Sequence, residues 1–529
     1  MKIKTVIAFT LILLIAIFFR VYRLNTLPSS LNWDEISHGY NAYSLLKTGK
    51  DQWGNPWPIF NFRAYGDYPT TLNMYLTIPF VAIFGLNEWT SRLPCAIAGI
   101  IFVILSYFLG LLIFKNQNKA LLLMLLTAIS PWTLFPSRAV FQSTIASTVM
   151  LAGLILIMRK FSIWGYILLA LSMFAYHNTR IIALPLGLAA IFIYGKKLNP
   201  KKNFVYALIF FVITVPSVIN LLSPDSRARS QWVGILSPIA INEINENRRL
   251  YTGPPQLNRI INNKLTYFVP KFFKNYLNLF NPLPLFFTGS GQFQFNVVRY
   301  GLLFSVCLPF FYLGLIKFVK NIKNNQHHQF LAVWYFLALL PAALTTGDFP
   351  TIRAATILPL PFILIILGLE YLPKIIPVFT ILILLQFAIY WQKYHQYNTN
   401  YSSSWQYGYK QVVETIKNKY PDYSEIILTK KYGEPHEFIL YYWPWNPADF
   451  QNKKVIWDYH SSWYWIDAFD KFKFINDWEI KEKTANLTTK ALLVTSPGNY
   501  NFEGSKKLST INFLNGQPAF DIVAYELQN

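Results

Sequence analysis

Charge and cysteine are the scarce commodities of this 529-residue chain. Its two cysteines, Cys95 and Cys307, both sit inside apolar stretches, which excludes a disulfide framework and a cysteine-based metal site. Charged residues make up only 14% of the chain while hydrophobic ones reach 53%, a balance that excludes a soluble protein of this length. No repeat at a period of about 20–50 residues and no low-complexity tract is present, so solenoids and arrays are excluded as well. Acids are rarer still than bases: 25 Asp and Glu stand against 47 Lys and Arg, for a net charge of +22.

What the chain has instead is long apolar runs. Segments long enough to cross a hydrocarbon core, about 17–25 residues, fall near 3–19, 92–114, 119–136, 143–158, 162–178, 181–195, 203–222, 300–319, 328–345, 354–370 and 375–392. This pattern predicts a multi-spanning α-helical membrane protein of about eleven spans. Met1-Lys2-Ile3-Lys4 ahead of the first run imitates a secretory signal, but its exit, Phe19-Arg20-Val21-Tyr22-Arg23, lacks a small-residue cleavage pattern, so an uncleaved anchor is expected.

Positive charge orients the spans. Lys2 and Lys4 precede the first run, and Lys115/Lys119, Arg159/Lys160, Lys196/Lys197/Lys201/Lys202 and Lys317/Lys320/Lys323 fall in alternate short connections. The N-terminus is therefore expected in the cytoplasm of a cell-membrane protein. Segments 20–91, 137–142, 178–180, 223–298, 346–353 and everything after 392 are expected outside. The last segment, from 393 on, holds 15 basic and 15 acidic residues, so the whole basic excess lies in residues 1–392. Inner-loop lysines facing anionic membrane lipid account for part of that excess, and nucleic acid is not an expected partner.

Two domains follow: 1–392, a transmembrane domain that includes the outer loops 20–91 and 223–298, and 393–529, a soluble extracytoplasmic α/β domain. The second is read from strand-like segments at 425–429 and 491–495 beside a helix at 405–419. In the first outer loop, 33–48 reads as an amphipathic helix lying on the membrane, ended by Gly49, Gly54, Pro56 and Pro58. The apolar stretch 70–85, interrupted by Pro79, is short and is expected at the interface. The loop 223–298 carries Arg227, Arg229, Arg248, Arg249 and Arg259 and, at that length, is expected to be functional or disordered.

Asp34 and Glu35 stand side by side where the first run hands over to the outer side, a costly place for acids without a task. Outward arginines recur at span ends: Arg63, Arg92, Arg138, Arg180 and Arg353. Any one of them is explained as a snorkelling anchor. Several on the face that carries an acid pair point to phosphate, whose oxygens a planar guanidinium suits. Acids plus phosphate-binding arginines fit glycosyl transfer from a lipid phosphate: an acceptor hydroxyl needs a base, and the departing phosphate needs positive charge. The competing role for the pair is capping, with Asp34 as N-cap of a 35–48 helix and Glu35 favoured by the positive helix end.

Trp33-Asp34-Glu35, the run Gly39-Tyr40-Asn41-Ala42-Tyr43-Ser44-Leu45-Leu46-Lys47-Thr48-Gly49-Lys50-Asp51, then Gly66-Asp67-Tyr68-Pro69 and Phe84-Gly85-Leu86-Asn87-Glu88-Trp89-Thr90-Ser91-Arg92-Leu93-Pro94 carry a resemblance. The chain resembles bacterial protein O-mannosyltransferase-like enzymes of the GT-C class, integral membrane glycosyltransferases fed by polyprenyl-phosphate sugars. The similarity is dense over 31–95 and thin through Ser130-Pro131-Trp132, Arg138, Arg180 and Arg353; Trp405-Gln406-Tyr407-Gly408-Tyr409-Lys410 resembles members with an extra outer domain. The resemblance implies a GT-C fold, Asp34 as catalytic base, Glu35 as its acidic neighbour, and Arg138 and Arg353 on the donor phosphate. Arg180, Arg63 and Asp67 join the expected substrate-binding set. Many relatives place a second acid four residues after the Arg138 equivalent, where this chain has Gln142. An amide orients a hydroxyl but is neither a base nor a strong metal ligand, so the burden falls on Asp34. His38, one helical turn from both acids, is a further candidate.

The expected activity is transfer of one sugar from a polyprenyl-phosphate donor to a hydroxyl of a protein, lipid or cell-surface glycan at the outer face. A ligase or polymerase of lipid-linked oligosaccharide uses similar chemistry and stays open. A lipid or solute transporter is less favoured, because its mid-span ionisable groups and paired broken helices are not evident. No cofactor is required by this reading; a divalent cation is left open.

Overall fold

The computed structural model of the chain describes residues 3–160, 162–195, 200–224, 233–452, 454–460, 463–485 and 487–526. Lys2, Lys196, Lys197, Arg227 and Arg229 lie outside the described residues. Among the described residues, six helices are long and apolar enough to cross a membrane: Ile3–Val21, Glu88–Phe114, Gln142–Arg159, His177–Tyr194, Pro200–Asn220 and Pro373–Asn400. The expected span 119–136 is instead a pair, Gln117–Ile129 and Pro131–Arg138, bent by 63°. Proline is the cause: Pro131 drives Ser130 out of helical geometry, to ψ 136°. Other expected spans shorten to Ile163–Phe174, Leu308–Asn321 and Leu360–Leu369. By length and apolarity alone, six helices among the described residues pass as membrane-crossing, or seven with the bent pair. Helix Leu72–Phe84 has 13 residues, about 20 Å of rise against a core of about 30 Å.

The chain forms two compact units, residues 1–22 with 95–393 and residues 23–94 with 394–529. The expected division counted 20–91 with the membrane domain; instead, 23–94 packs with the C-terminal segment.

In the first unit, helices Leu308–Asn321 and Leu360–Leu369 approach backbone to backbone. A Cβ at Gly314 would lie 1.7 Å from the Leu364 carbonyl oxygen, and one at Gly368 would lie 2.0 Å from that of Phe310. At one end of this pair Glu370 takes ion pairs from Lys119 at 2.5 Å and Lys317 at 2.7 Å. The long loop is largely helical: Pro238–Leu250 starts at an Ser237 cap, and Lys264–Asn278 starts at a capping box of Asn263 and Thr266.

In the second unit a seven-stranded mixed sheet is built from β1 (Glu425–Thr429), β2 (Ile456–His460), β3 (Trp463–Phe469), β4 (Phe472–Ile475), β5 (Ala491–Thr495), β6 (Ser505–Asn512) and β7 (Pro518–Tyr525). Its order is β2-β3-β4-β1-β5-β7-β6, with β1 parallel to β4 and β5 and the other pairs antiparallel. Central β5 is buried along its whole length and β1 nearly so, which explains their continuous apolar runs. The expected strands coincide with β1 and β5, and the expected helix at 405–419 begins later, as Tyr409–Lys419. Helix Trp33–Thr48 forms where expected, but ten of its sixteen residues are buried. Ile36 and Tyr40 share one core with Val412, Phe438, Leu440 and Phe472, so its apolar side faces this unit's own helices rather than lipid.

Gly314→Val drives a branched side chain into the Leu364 carbonyl. Overpacking of this kind costs about 1–3 kcal/mol or more, and we expect the variant to lose its monodisperse peak in size-exclusion chromatography in detergent.

Candidate active site

The chemistry begins at the entry to helix Trp33–Thr48. Asn32 is its N-cap: the side chain accepts from the Glu35 amide at 2.9 Å, and Glu35 Oε2 accepts from the Asn32 amide at 3.1 Å, a reciprocal capping box. The cap is Asn32, not Asp34. Glu35 also receives Arg92, Nε to Oε1 and Nη2 to Oε2, both at 2.9 Å. Arg92 spends its remaining donors on the carbonyls of Leu24 (3.0 Å), Pro28 (2.9 Å) and Ser30 (2.5 Å). All five N–H groups therefore have partners. The pair is buried, at 0% exposure for Arg92 and 1% for Glu35.

Glu35 is thus committed to holding the 24–35 segment, whereas Asp34, one residue earlier, is exposed. Its carboxylate accepts a hydrogen bond from the Tyr65 hydroxyl. The Tyr65 ring stacks on Trp463 at 5.0 Å, and the Tyr464 amide donates to the Tyr65 carbonyl at 2.8 Å, so strand β3 holds this partner. Burial, then the Asp34 charge, push the Tyr65 hydroxyl well above its ordinary value and keep it a donor.

Other predicted residues of this unit have different surroundings. His38 is buried against Phe62, and burial holds its imidazole down to about 3, hence neutral. Arg63 lies in an aromatic box, with its guanidinium 3.5 Å from the Tyr464 ring centre, 3.8 Å from Trp53 and 4.9 Å from Trp457. Asp67 is half-buried, and its carboxylate accepts from the Tyr68 amide at 2.9 Å.

In the first unit, Arg138 is buried and donates to the carbonyl of Phe19 and, at 2.7 Å, to that of Tyr22. Arg180 is also buried; it donates to the Met173 carbonyl at 3.1 Å and to the Asn220 amide oxygen at 3.2 Å. Asn178 donates to the backbone carbonyl of half-buried Arg353 at 2.5 Å, which ties the first turn of helix His177–Tyr194, where Arg180 lies, to the segment carrying Arg353. Gln142 opens helix Gln142–Lys160 and is buried.

Sequence reasoning missed several groups. Asn32 was readable from Asn-x-x-Glu spacing. Tyr65 carries no local signal. Neither does the buried cluster Glu434, His436 and Glu437, in which His436 lies 3.4 Å from Glu434 and 3.5 Å from Glu437. Trp463 donates to Glu434 and Gln52 to Glu437, the latter at 2.7 Å, and burial pushes the Glu434 carboxyl up. Among the described residues no group of three or more His, Cys, Asp and Glu is arranged to hold a metal ion.

No protein-family model matches the chain, and no curated protein matches it. Among solved structures it is similar to ArnT from Cupriavidus metallidurans bound to undecaprenyl phosphate, with 11% identity, a TM-score of 0.52 and 100% of both chains covered. It is also similar to ArnT of the same organism in the apo state, with 12% identity, a TM-score of 0.44, and 98% of this chain and 99% of that one covered. The first likeness shows the fold: the chain has an ArnT-like fold over its whole length, helical with a C-terminal sheet.

The two neighbouring acids separate by stability. Removing one partner of a buried pair costs about 3–5 kcal/mol, so Arg92→Met and Glu35→Gln lower the melting temperature strongly. Asp34→Asn still accepts from Tyr65 and leaves it nearly unchanged. Nano-scale differential scanning fluorimetry reads both. His38 adds a pH dependence. Its folded value lies below the ordinary 6.5, so the unfolded chain binds the extra proton and stability falls as pH drops from about 6.5 toward 3. His38→Asn removes this contribution, at most about 1.4 kcal/mol per pH unit, and flattens the acid limb of a melting-temperature profile.

Proposed function

We propose that this protein is a membrane glycosyltransferase that moves a single sugar from a polyprenyl-phosphate donor to an acceptor hydroxyl at the outer face of the cell membrane. The observation that carries the reading is the division between adjacent acids: Glu35 is buried and consumed by Arg92 and the helix cap, while Asp34 is exposed at the head of the same helix. A carboxylate that accepts from Tyr65 and still faces outward suits a general base. ArnT, whose fold the chain shares, binds undecaprenyl phosphate, a lipid of the class the outward arginines call for.

The step balances simply. The acceptor oxygen attacks the anomeric carbon and loses its proton to Asp34. The bond from that carbon to the phosphate oxygen breaks, and the polyprenyl phosphate departs with the electron pair. In-line attack inverts the anomeric centre. Arg138 and Arg353 are assigned to the phosphate charge that develops. The acceptor in this reading is a hydroxyl of a protein, lipid or cell-surface glycan, and the alternating lysines of the short connections support a cytoplasmic N-terminus with residues 393–529 outside.

Purified protein is supplied with labelled polyprenyl-phosphate hexoses and a panel of peptide, lipid and glycan acceptors. Loss of a general base costs about 10²–10⁴-fold, and we expect Asp34→Asn to lose transfer on that scale while remaining folded. Equal turnover by wild type and Asp34→Asn removes Asp34 from the role, and no transfer from any lipid-phosphate donor removes the class.

A further inference from the structure

At the end of helix Ile3–Val21 stands a charge that the roles assigned above do not use. Arg20 is wholly buried. Its guanidinium donates only to carbonyls: Nη1 to Ala128 at 2.9 Å and to Ala16 at 3.4 Å, and Nη2 to Thr127 at 3.3 Å. Among the described residues its Nε–H has no partner. Carbonyl dipoles solvate a guanidinium without neutralising it, and a buried charge without a counter-charge is among the costliest arrangements in a protein. Arg138 adds a second positive charge nearby.

Arg20 lines a narrow pocket with Gly99, Trp132, Thr133, Ser143 and Ser147. The space beside Nε exists because residue 99 is glycine, since a Cβ there would lie 2.9 Å from the nitrogen. The Ser143 hydroxyl is also buried and without a partner among the described residues. Thr133 is already spent on the Thr127 and Ser130 carbonyls, and Ser147 on that of Ala355. One pocket therefore holds two unused hydrogen-bond donors, one of them carrying a full positive charge. Its complement is an acceptor that brings negative charge. The space is narrow and takes a single oxygen rather than a bulky group.

We infer that the Arg20 pocket receives an anionic phosphoryl oxygen, held by Arg20 Nε and Ser143 Oγ. The inference rests on the donor reading above for the lipid source of that phosphate, and its chemistry applies equally to free inorganic phosphate. Arg20 thereby gains the counter-charge that its own fold does not supply. A water molecule in the same place satisfies the hydrogen bonds and leaves the charge unbalanced.

The test measures binding by the full-length protein in detergent, by thermal shift and by titration calorimetry, with polyprenyl phosphate, the matching polyprenol and inorganic phosphate as ligands. Arg20→Gln removes the charge. Ser143→Val fills the pocket without breaking a hydrogen bond, so it reports even if Arg20→Gln fails to fold. We expect polyprenyl phosphate to bind the Ser143→Val variant, and a folded Arg20→Gln variant, about tenfold more weakly or worse, the worth of one hydrogen bond to a charged group. Polyprenol binding is expected to be unchanged. Inorganic phosphate that protects wild type but not the variants, with no such difference for the lipid, supports the site and assigns it to the free ion. Unchanged affinity of Ser143→Val for both phosphate ligands overturns it. Sugar transfer is measured in parallel: transfer with unaltered binding refutes this pocket alone, and variant-sensitive binding without any transfer refutes the glycosyltransferase reading alone.

Discussion

The contact on which the rest of the second unit depends is the buried pair of Glu35 and Arg92. A charge pair taken out of water repays its desolvation only when the remaining donors and acceptors are satisfied. Here Arg92 has all five N–H groups engaged, two on Glu35 and three on the carbonyls of Leu24, Pro28 and Ser30. One side chain thus gathers a segment without regular structure and the first turn of a helix. Glu35 is held inward by this pair, while Asp34 in the first turn stays exposed. The two adjacent acids thus differ in surroundings, Glu35 buried on Arg92 and Asp34 exposed.

The C-terminal residues are part of that arrangement. Tyr65, which donates to Asp34, is held by a stack on Trp463 and by a backbone bond from Tyr464. Trp463 donates in turn to Glu434, one of the buried groups around His436. Strand β3 therefore shapes the surroundings of the proposed base through one intervening tyrosine. The helix that carries Asp34 shares its core with helices and strands of residues 394–529, which gives this segment a structural reason to accompany 23–94.

In the first unit, buried arginines are answered by the ends of helices. Arg20, Arg138 and Arg180 all donate to backbone carbonyls. Carbonyls left over where helices break have no intrahelical donor, and in an apolar setting they require one. The bend at Ser130-Pro131 creates such ends beside Thr127 and Ala128, which is where Arg20 donates. The broken helix supplies acceptors for the two Nη groups of the buried cation, while among the described residues its Nε–H and its charge remain unanswered.

Some of this was legible in the chain alone. Apolar runs revealed the helical membrane character and six long helices, because length and hydrophobicity are local properties. Strands β1 and β5 were readable as strand-like segments and Trp33–Thr48 as an amphipathic helix, and the acid pair stood out by its rarity. The bend at Ser130-Pro131 and the backbone contact at Gly314 were not legible, because both act through backbone geometry that composition does not record. Nor could the sequence rank Asp34 above Glu35, or tell that Arg63 sits among Trp53, Trp457 and Tyr464 while Arg92 grips a carboxylate. Those partners lie tens to hundreds of residues away. The sequence by itself determined the long apolar helices, the sheet segments β1 and β5 and the rarity of the Asp34-Glu35 pair. Only the tertiary structure decided which acid is exposed and which arginine already has its counter-charge, because both follow from long-range packing.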